Sequence, residues 1–263
     1  MTSDNYVSAV PVREFVVDAL PVKVFSDRPT LAQFAANQVH ACLHQTIAAN
    51  GSAAVILATG NSQIEFLQKL VALPGINWKK VTLFHMDEYL GIKPDHKASF
   101  RKYLRERVET LVKPGAFHYL EGDALLPLDE IERYTQLLQA QPIDLTCMGV
   151  GENGHLAFND PPVANFRDKH LVKLVQLDDA CKMQQVREGH FPNIESVPPY
   201  AFTLTIPALF RAKKVVCIAP ETRKAQAIRD ALKGEVSTAC PASALRTQSQ
   251  AVLLLDNESA SLL

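Results

Sequence analysis

Short, near-continuous apolar runs recur along the chain, separated by longer stretches with helical periodicity. Ala53–Ala58, Val215–Ala219 and Ala251–Leu255 are wholly apolar, and Val81–Phe84 and Ile143–Met148 nearly so. A strand covered on both faces reads this way, whereas a half-buried strand alternates. Between the runs, Thr30–Ala49 sets Leu31, Phe34, Ala35, Val39, Cys42, Leu43 and Ile47 on one stripe and stops at Asn50-Gly51. Ile64–Leu73, Ser99–Val112, Asp129–Gln139 and Thr222–Leu232 read as further helices, and Val22–Phe25, Val172–Leu177 and Ala201–Thr205 as further strands. Parallel strands need long crossovers, and helices supply them. The expectation is therefore an α/β fold, a largely parallel sheet with helices on both faces. No polar linker divides residues 1–263, which predicts one domain, with residues 1–20 as an arm or first strand.

Composition narrows the function. A net charge of −1 and no basic run give nothing for nucleic acid or an anionic membrane to hold. No stretch approaches the roughly 18 apolar residues of a membrane span. Cys42, Cys147, Cys181, Cys217 and Cys240 are scattered, odd in number and never spaced C-x-x-C. The N-terminus lacks the basic and apolar regions of a secretory leader. Both observations point to the reducing cytoplasm.

In open α/β sheets, ligands bind beyond the carboxyl ends of the strands. Four loops there carry chemistry. Gly149-Val150-Gly151-Glu152-Asn153-Gly154-His155-Leu156-Ala157-Phe158-Asn159-Asp160-Pro161 packs glycines, amides, carboxylates and a histidine into one turn. Glycines such as Gly151 and Gly154 permit close backbone approach, and His155 can move protons near neutral pH. Thr59-Gly60-Asn61-Ser62 leaves a strand and opens a helix, so it is either a phosphate cradle or a plain helix cap. It lacks the Gly-Lys-[Ser/Thr] of a P-loop. His85-Met86-Asp87-Glu88-Tyr89 puts two carboxylates at a strand end. If the chain is still extended, they face opposite ways and only one is the working group. The alternative is a solvated acidic turn. Lys224, in the first turn of a helix, opposes the helix dipole unless an anion lies between, and otherwise belongs to the solvated surface. His40 and His44 share a helix face without a third ligand, and no zinc or nucleophile-elbow signature is present.

With these motifs in place, the chain resembles the glucosamine-6-phosphate deaminase (isomerase) family. The matching stretches are Leu57–Ser62, Leu83–Gly91, Asp95–Leu104, Ile143–Pro161, Val197–Leu209 and Lys213–Leu232. The pairing of Met-Asp-Glu-Tyr with Gly-x-Asn-Gly-His-x-Ala-Phe-Asn-Asp-Pro is its most specific part. The resemblance implies a Rossmann-like three-layer α/β/α fold, shared with 6-phosphogluconolactonases and some sugar-sensing repressor domains. It implies conversion of glucosamine 6-phosphate and water to fructose 6-phosphate and ammonium, without metal or cofactor.

By the same resemblance, Asp87 moves a proton between C2 and C1 of the opened sugar, and His155 opens the ring at O5. Asn153 and Asp160 orient and charge the histidine. Thr59, Gly60, Asn61, Ser62, Glu88, Gly151, Gly154, Arg187 and Lys224 are the expected substrate and phosphate contacts. The partner is a small sugar phosphate, and homo-oligomers are compatible with it. The chain ends soon after its last strand, so the tail that builds an allosteric site in some hexameric members is not expected. A lactonase would instead carry Asp-Glu-Arg and Gly-His-Thr where this chain has Asp87-Glu88-Tyr89 and Gly154-His155-Leu156. A non-catalytic sensor would carry a helix-turn-helix domain ahead of the fold.

Overall fold

The computed structural model describes residues 9–263; the expectation for residues 1–8 falls outside the described residues. In chain order the strands are β1 Arg13–Val17, β2 Leu20–Phe25, β3 Ala53–Leu57, β4 Val81–His85, β5 Asp87–Tyr89, β6 Ala116–His118, β7 Leu145–Met148, β8 Val172–Gln176, β9 Tyr200–Leu204, β10 Lys214–Ile218 and β11 Ala251–Asp256. The helices are α1 Arg28–Asn50, α2 Ile64–Ala72, α3 Phe100–Leu104, α4 Thr110–Val112, α5 Pro127–Gln139, α6 Asp179–Arg187, α7 Ile206–Leu209 and α8 Ala225–Lys233. A π-helical turn, Arg105–Glu109, joins α3 to α4.

Eight strands form the main sheet in the order β1-β2-β11-β10-β7-β3-β4-β6. Only the β1–β2 hairpin is antiparallel there. Alternate residues of the central strands feed two apolar layers. Val55, Leu57, Leu83, Leu145 and Cys147 pack under α1, α2 and α3. Ala54, Ile56, Phe84 and Met148 pack with Tyr134 and Leu138 of α5 and Ile228 of α8. This is the three-layer arrangement that the apolar runs predict, and each fully buried aliphatic side chain contributes about 1.5–3 kcal/mol. Caps set the helix ends. Asp27 accepts from the Thr30 N–H at 2.8 Å to open α1, and Gly51, at φ +82°, closes it.

One expectation needs correction. The runs at 172–177 and 201–205 do not join the main sheet. β8 and β9 pair antiparallel, and β5 adds to β9 antiparallel, giving a separate sheet in the order β5-β9-β8. Its aromatic cluster, Tyr89, Phe100, Phe158 and Phe191, packs against Cys181 of α6. The small sheet turns the chain after β4 back over the main sheet. Tyr134 fixes that turn: its hydroxyl accepts from the His85 N–H at 3.0 Å and donates to the His85 carbonyl at 2.8 Å.

From β3 the chain runs outward through β4 to β6, and from β7 it runs the other way through β10 to β11. The topological switch therefore lies between β3 and β7, where the loops after both strands splay apart and leave a crevice.

Candidate active site

A cleft of about 580 Å³ opens at that switch. Thr59, Gly60, Asn61 and Ser62 after β3, Asp87 after β4, Gly151 and His155 after β7, and Lys224 after β10 all line it. Residues far apart in sequence thus converge because their strands are neighbours.

The first loop is not a plain cap. Gly60 sits at φ +94°, ψ 166°, a conformation open mainly to glycine, and no side chain caps the following turn. The loop is braced from outside: Tyr103 donates to the Gly60 carbonyl at 2.9 Å and Arg28 to the Asn61 carbonyl at 2.7 Å. Across the cleft, Glu221 adopts a similar backbone, φ +85°, ψ 142°, before the turn that carries Lys224. For a residue with a Cβ this costs on the order of 1–3 kcal/mol. Asp256 holds it by accepting from the Glu221 N–H at 3.1 Å, and Arg28 pairs with its carboxylate at 2.7 Å.

Lys224 is 3 % exposed. Burial, reinforced by Arg223, lowers its pKa to about 8 against the pull of Glu188, Glu152 and Glu221. A desolvated ammonium facing an open cleft favours a bound anion. Glu188 lies close by and pairs with Arg223 at 2.5 Å. Burial opposes its ionisation, but His190, Arg223, Lys224 and Gln184 outweigh it and hold the carboxyl at about 2.

Asp87 and Glu88 face opposite ways because β5 is extended. Asp87 is buried, and its Oδ1 has no hydrogen-bond partner. Burial, then the charge of Glu88, raises its pKa well above the carboxylate range. Glu88 points away, accepting from Ser99 Oγ at 2.7 Å, the Phe100 N–H at 3.2 Å and the Arg101 N–H at 3.0 Å. The expected substrate role for Glu88 is thereby corrected: it caps α3.

The Gly-rich loop builds a second polar centre. His155 Nδ1 lies 2.9 Å from Asp160 Oδ1. Asn153 accepts from the His155 N–H at 3.1 Å and donates to the same Asp160 oxygen at 2.9 Å. Burial opposes the ionisation of Asp160, but the charge and contact of His155 and the contacts of Asn153 and Cys181 outweigh it and lower its pKa. Asn153 and Asp160 thus stand behind His155 rather than on the cleft wall. His155, Asp160 and Cys181 bring ligand-type atoms within 4.8 Å of one another, a set that could hold a thiophilic cation. The Cys181 thiol is held protonated by burial and by Asp160, and Asp160 Oδ1 is committed to His155 and Asn153, which disfavours such a cation.

Two more expected contacts do not reach the cleft. Gly154, at φ +84°, faces Cys240: an added Cβ would lie 2.7 Å from its Sγ. The Arg187 side chain is 55 % exposed and pairs with Glu152. Conversely, the cleft wall formed by Gln184 and Gln185 of α6 and by Glu188 just after it has no counterpart in the expected set.

The glucosamine-6-phosphate isomerases/6-phosphogluconolactonase family model matches residues 26–254. The chain belongs to this family. It is 33 % identical to a glucosamine-6-phosphate deaminase of Exiguobacterium sibiricum over 233 residues, 88 % of this chain and 90 % of the relative. A deaminase of Bacillus pumilus is 32 % identical over 244 residues, 90 % and 98 % of the two chains. The solved structure of a monomeric glucosamine-6-phosphate deaminase superposes with a TM-score of 0.85 at 28 % identity, covering 92 % of this chain and 99 % of that one. A 6-phosphogluconolactonase from Shewanella baltica, at 18 % identity and a TM-score of 0.74, shares the fold.

Proposed function

We propose that the chain is a cytoplasmic, single-domain enzyme that converts glucosamine 6-phosphate and water to fructose 6-phosphate and ammonium. The observation that carries this reading is one arrangement. A buried carboxylate with a free oxygen and a His–Asp pair face a cleft whose other wall holds a buried lysine.

The phosphate docks between the Thr59–Ser62 loop and Lys224. His155, backed by Asp160, relays a proton from the anomeric hydroxyl to O5 and opens the ring. Asp87 takes the C2 proton and returns it to C1, while one proton passes from the C2 ammonium to the aldehyde oxygen, which becomes the C1 hydroxyl. A carboxyl raised by burial suits this step, because it is basic when ionised and holds the proton long enough to hand it back. The product is a protonated imine at C2, and water hydrolyses it to the ketone with release of ammonium.

The test is parallel measurement of ammonium and fructose 6-phosphate from glucosamine 6-phosphate, with 6-phosphogluconolactone as the competing substrate. Lactone hydrolysis without ammonium release would overturn the reading. Glucosamine without its phosphate should bind poorly; equal binding of the two sugars would remove the phosphate cradle.

A further inference from the structure

The inward face of α6 carries Cys181, Gln184 and Gln185, and the C-cap Glu188 continues the stripe, at spacings i, i+3, i+4 and i+7. Gln184 is consumed by the protein. Its Oε1 accepts from the Glu152 N–H at 3.0 Å, and its Nε2 donates to Glu188 at 2.8 Å. Gln185 is not. It is 6 % exposed and lines the cleft, and its Oε1 accepts from the Tyr89 hydroxyl at 2.7 Å. Its Nε2 has no partner among the described residues.

Tyr89 makes that orientation rigid. It is fully buried, with ring centroids 5.1 Å from Phe100, 5.2 Å from Phe158 and 5.3 Å from Phe191. It follows Asp87 by two residues on β5, so both side chains leave the same face of the strand. With the carbonyl oxygen held by the phenol, the amide turns two N–H donors into the cleft beside Asp87. One turn earlier on α6, Cys181 adjoins Asp160 and His155; one turn later, Glu188 adjoins Lys224. Gln185 therefore stands between the His155 end and the Lys224 end of the cleft.

We propose that Gln185 is a specificity-determining residue that donates from Nε2 to O3 or O4 of the sugar, with Tyr89 as its positioning residue. The assignment rests on the sugar-phosphate reading of the cleft. A substrate lacking that oxygen leaves a donor unpaired against the bound sugar, a loss of about 10- to 100-fold.

The experiment measures kcat/KM for ammonium release from glucosamine 6-phosphate and its 3-deoxy and 4-deoxy analogues, in the parent, Gln185→Ala, Gln185→Glu and Tyr89→Phe proteins. Parent turnover of glucosamine 6-phosphate checks the reaction on its own. The parent should discriminate about 10- to 100-fold against one deoxy sugar, which identifies the oxygen. Gln185→Ala should fall to that level on the full substrate and lose the discrimination. Gln185→Glu, which keeps the acceptor for Tyr89 but removes the donors, should lose it too, and serves if the alanine variant fails to fold. Tyr89→Phe should weaken discrimination while kcat for the preferred sugar changes less than KM. A parent indifferent to both deoxy sugars, or a Gln185→Ala or Gln185→Glu protein with the parent's full preference, would overturn the proposal.

Discussion

Gly151 lies under the imidazole of His155. A Cβ at Gly151 would sit 2.3 Å from Cε1 and Nε2 of that ring and 2.4 Å from Cδ2. Carbon atoms come to rest at roughly 3.5–4 Å, so in Gly151→Ala something must yield by more than ~1 Å. The backbone does not object to the methyl, because Gly151 is absent from the positive-φ glycines. Nor is the loop free to slide, because the Gly151 N–H donates to the His155 carbonyl at 2.9 Å. The ring itself moves, and its 2.9 Å contact with Asp160 is lost. A misplacement of about 1 Å costs on the order of 10²-fold, and loss of a general acid/base 10²–10⁴-fold. Ammonium release by Gly151→Ala should therefore fall about 10²- to 10³-fold, while overpacking costs only about 1–3 kcal/mol of stability. The assay pairs steady-state ammonium release with thermal melting and inorganic phosphate binding, which should survive. Gly154→Ala is the contrast: its methyl meets Cys240 at a left-handed position, so it should lower the melting temperature. A Gly151→Ala protein with parental kcat would refute the placement of the His155 ring in proton transfer.

Asp87→Asn should lower kcat by about 10²–10⁴-fold with phosphate binding nearly unchanged; turnover close to the parent's would remove Asp87 from the chemistry. Because burial and Glu88 raise Asp87, and the base must be ionised, the acidic limb of kcat should lie above the ordinary carboxylate range. Glu88→Gln removes the like charge and should move that limb to lower pH. It should also lower the melting temperature, since an amide has one oxygen where α3 presents three donors; an unmoved limb would discount the Asp87–Glu88 coupling. Binding of an anion favours protonated Lys224, so phosphate affinity should decline above pH about 8 in the parent. Lys224→Met should bind phosphate weakly at all pH and lack that decline, and titration calorimetry across pH 6–10 (roughly two units about the lysine's value) reads both; a decline that persists in Lys224→Met would place the titrating group elsewhere.

The main sheet was legible because buried parallel strands write themselves as apolar runs, and β3, β10 and β11 fall within one residue of the runs at 53–58, 215–219 and 251–255. The small sheet was hidden, since a run such as Ala201–Thr205 carries no mark of which sheet it joins. β5 is only Asp87–Tyr89, too short for a periodic signal. In the site, Gly60, Asp87, His155 and Lys224 stood out because glycines and charges at strand ends are unusual residues in unusual places. Helix α6 did not. Its stripe of Cys181, Gln184 and Gln185, continued by the C-cap Glu188, has helical spacing, but three of these four residues are polar, so it carries no apolar periodicity. The cap Asp178, which accepts from the Cys181 N–H at 2.7 Å, was the one readable sign of that helix. Arg187 and Glu88 were misplaced for one reason: their partners, Glu152 and the first turn of α3, come from other segments of the chain.

The site contains two buried aspartates whose surroundings push them in opposite directions, and this separation supports the two roles proposed for them. Asp87 has no donor on Oδ1 and a like charge behind it, so it rises and can carry a proton. Asp160 sits among donors, so it falls and stays a fixed anion behind His155. Asn153 belongs to that second environment. Its oxygen is taken by the His155 N–H, which forces its Nδ2 toward Asp160. A carboxylate at position 153 would place two anions about one hydrogen-bond length apart, and one of them would have to keep a proton. The short Asp160 and the uncharged Asn153 are therefore matched to each other. The amide supplies the donor that keeps the single carboxylate ionised, and that carboxylate reaches the imidazole at 2.9 Å without a longer side chain. One negative charge thus stands behind the histidine, and in the proposed reaction the other carboxylate, Asp87 on the far side of the switch between β3 and β7, is the one left for the carbon.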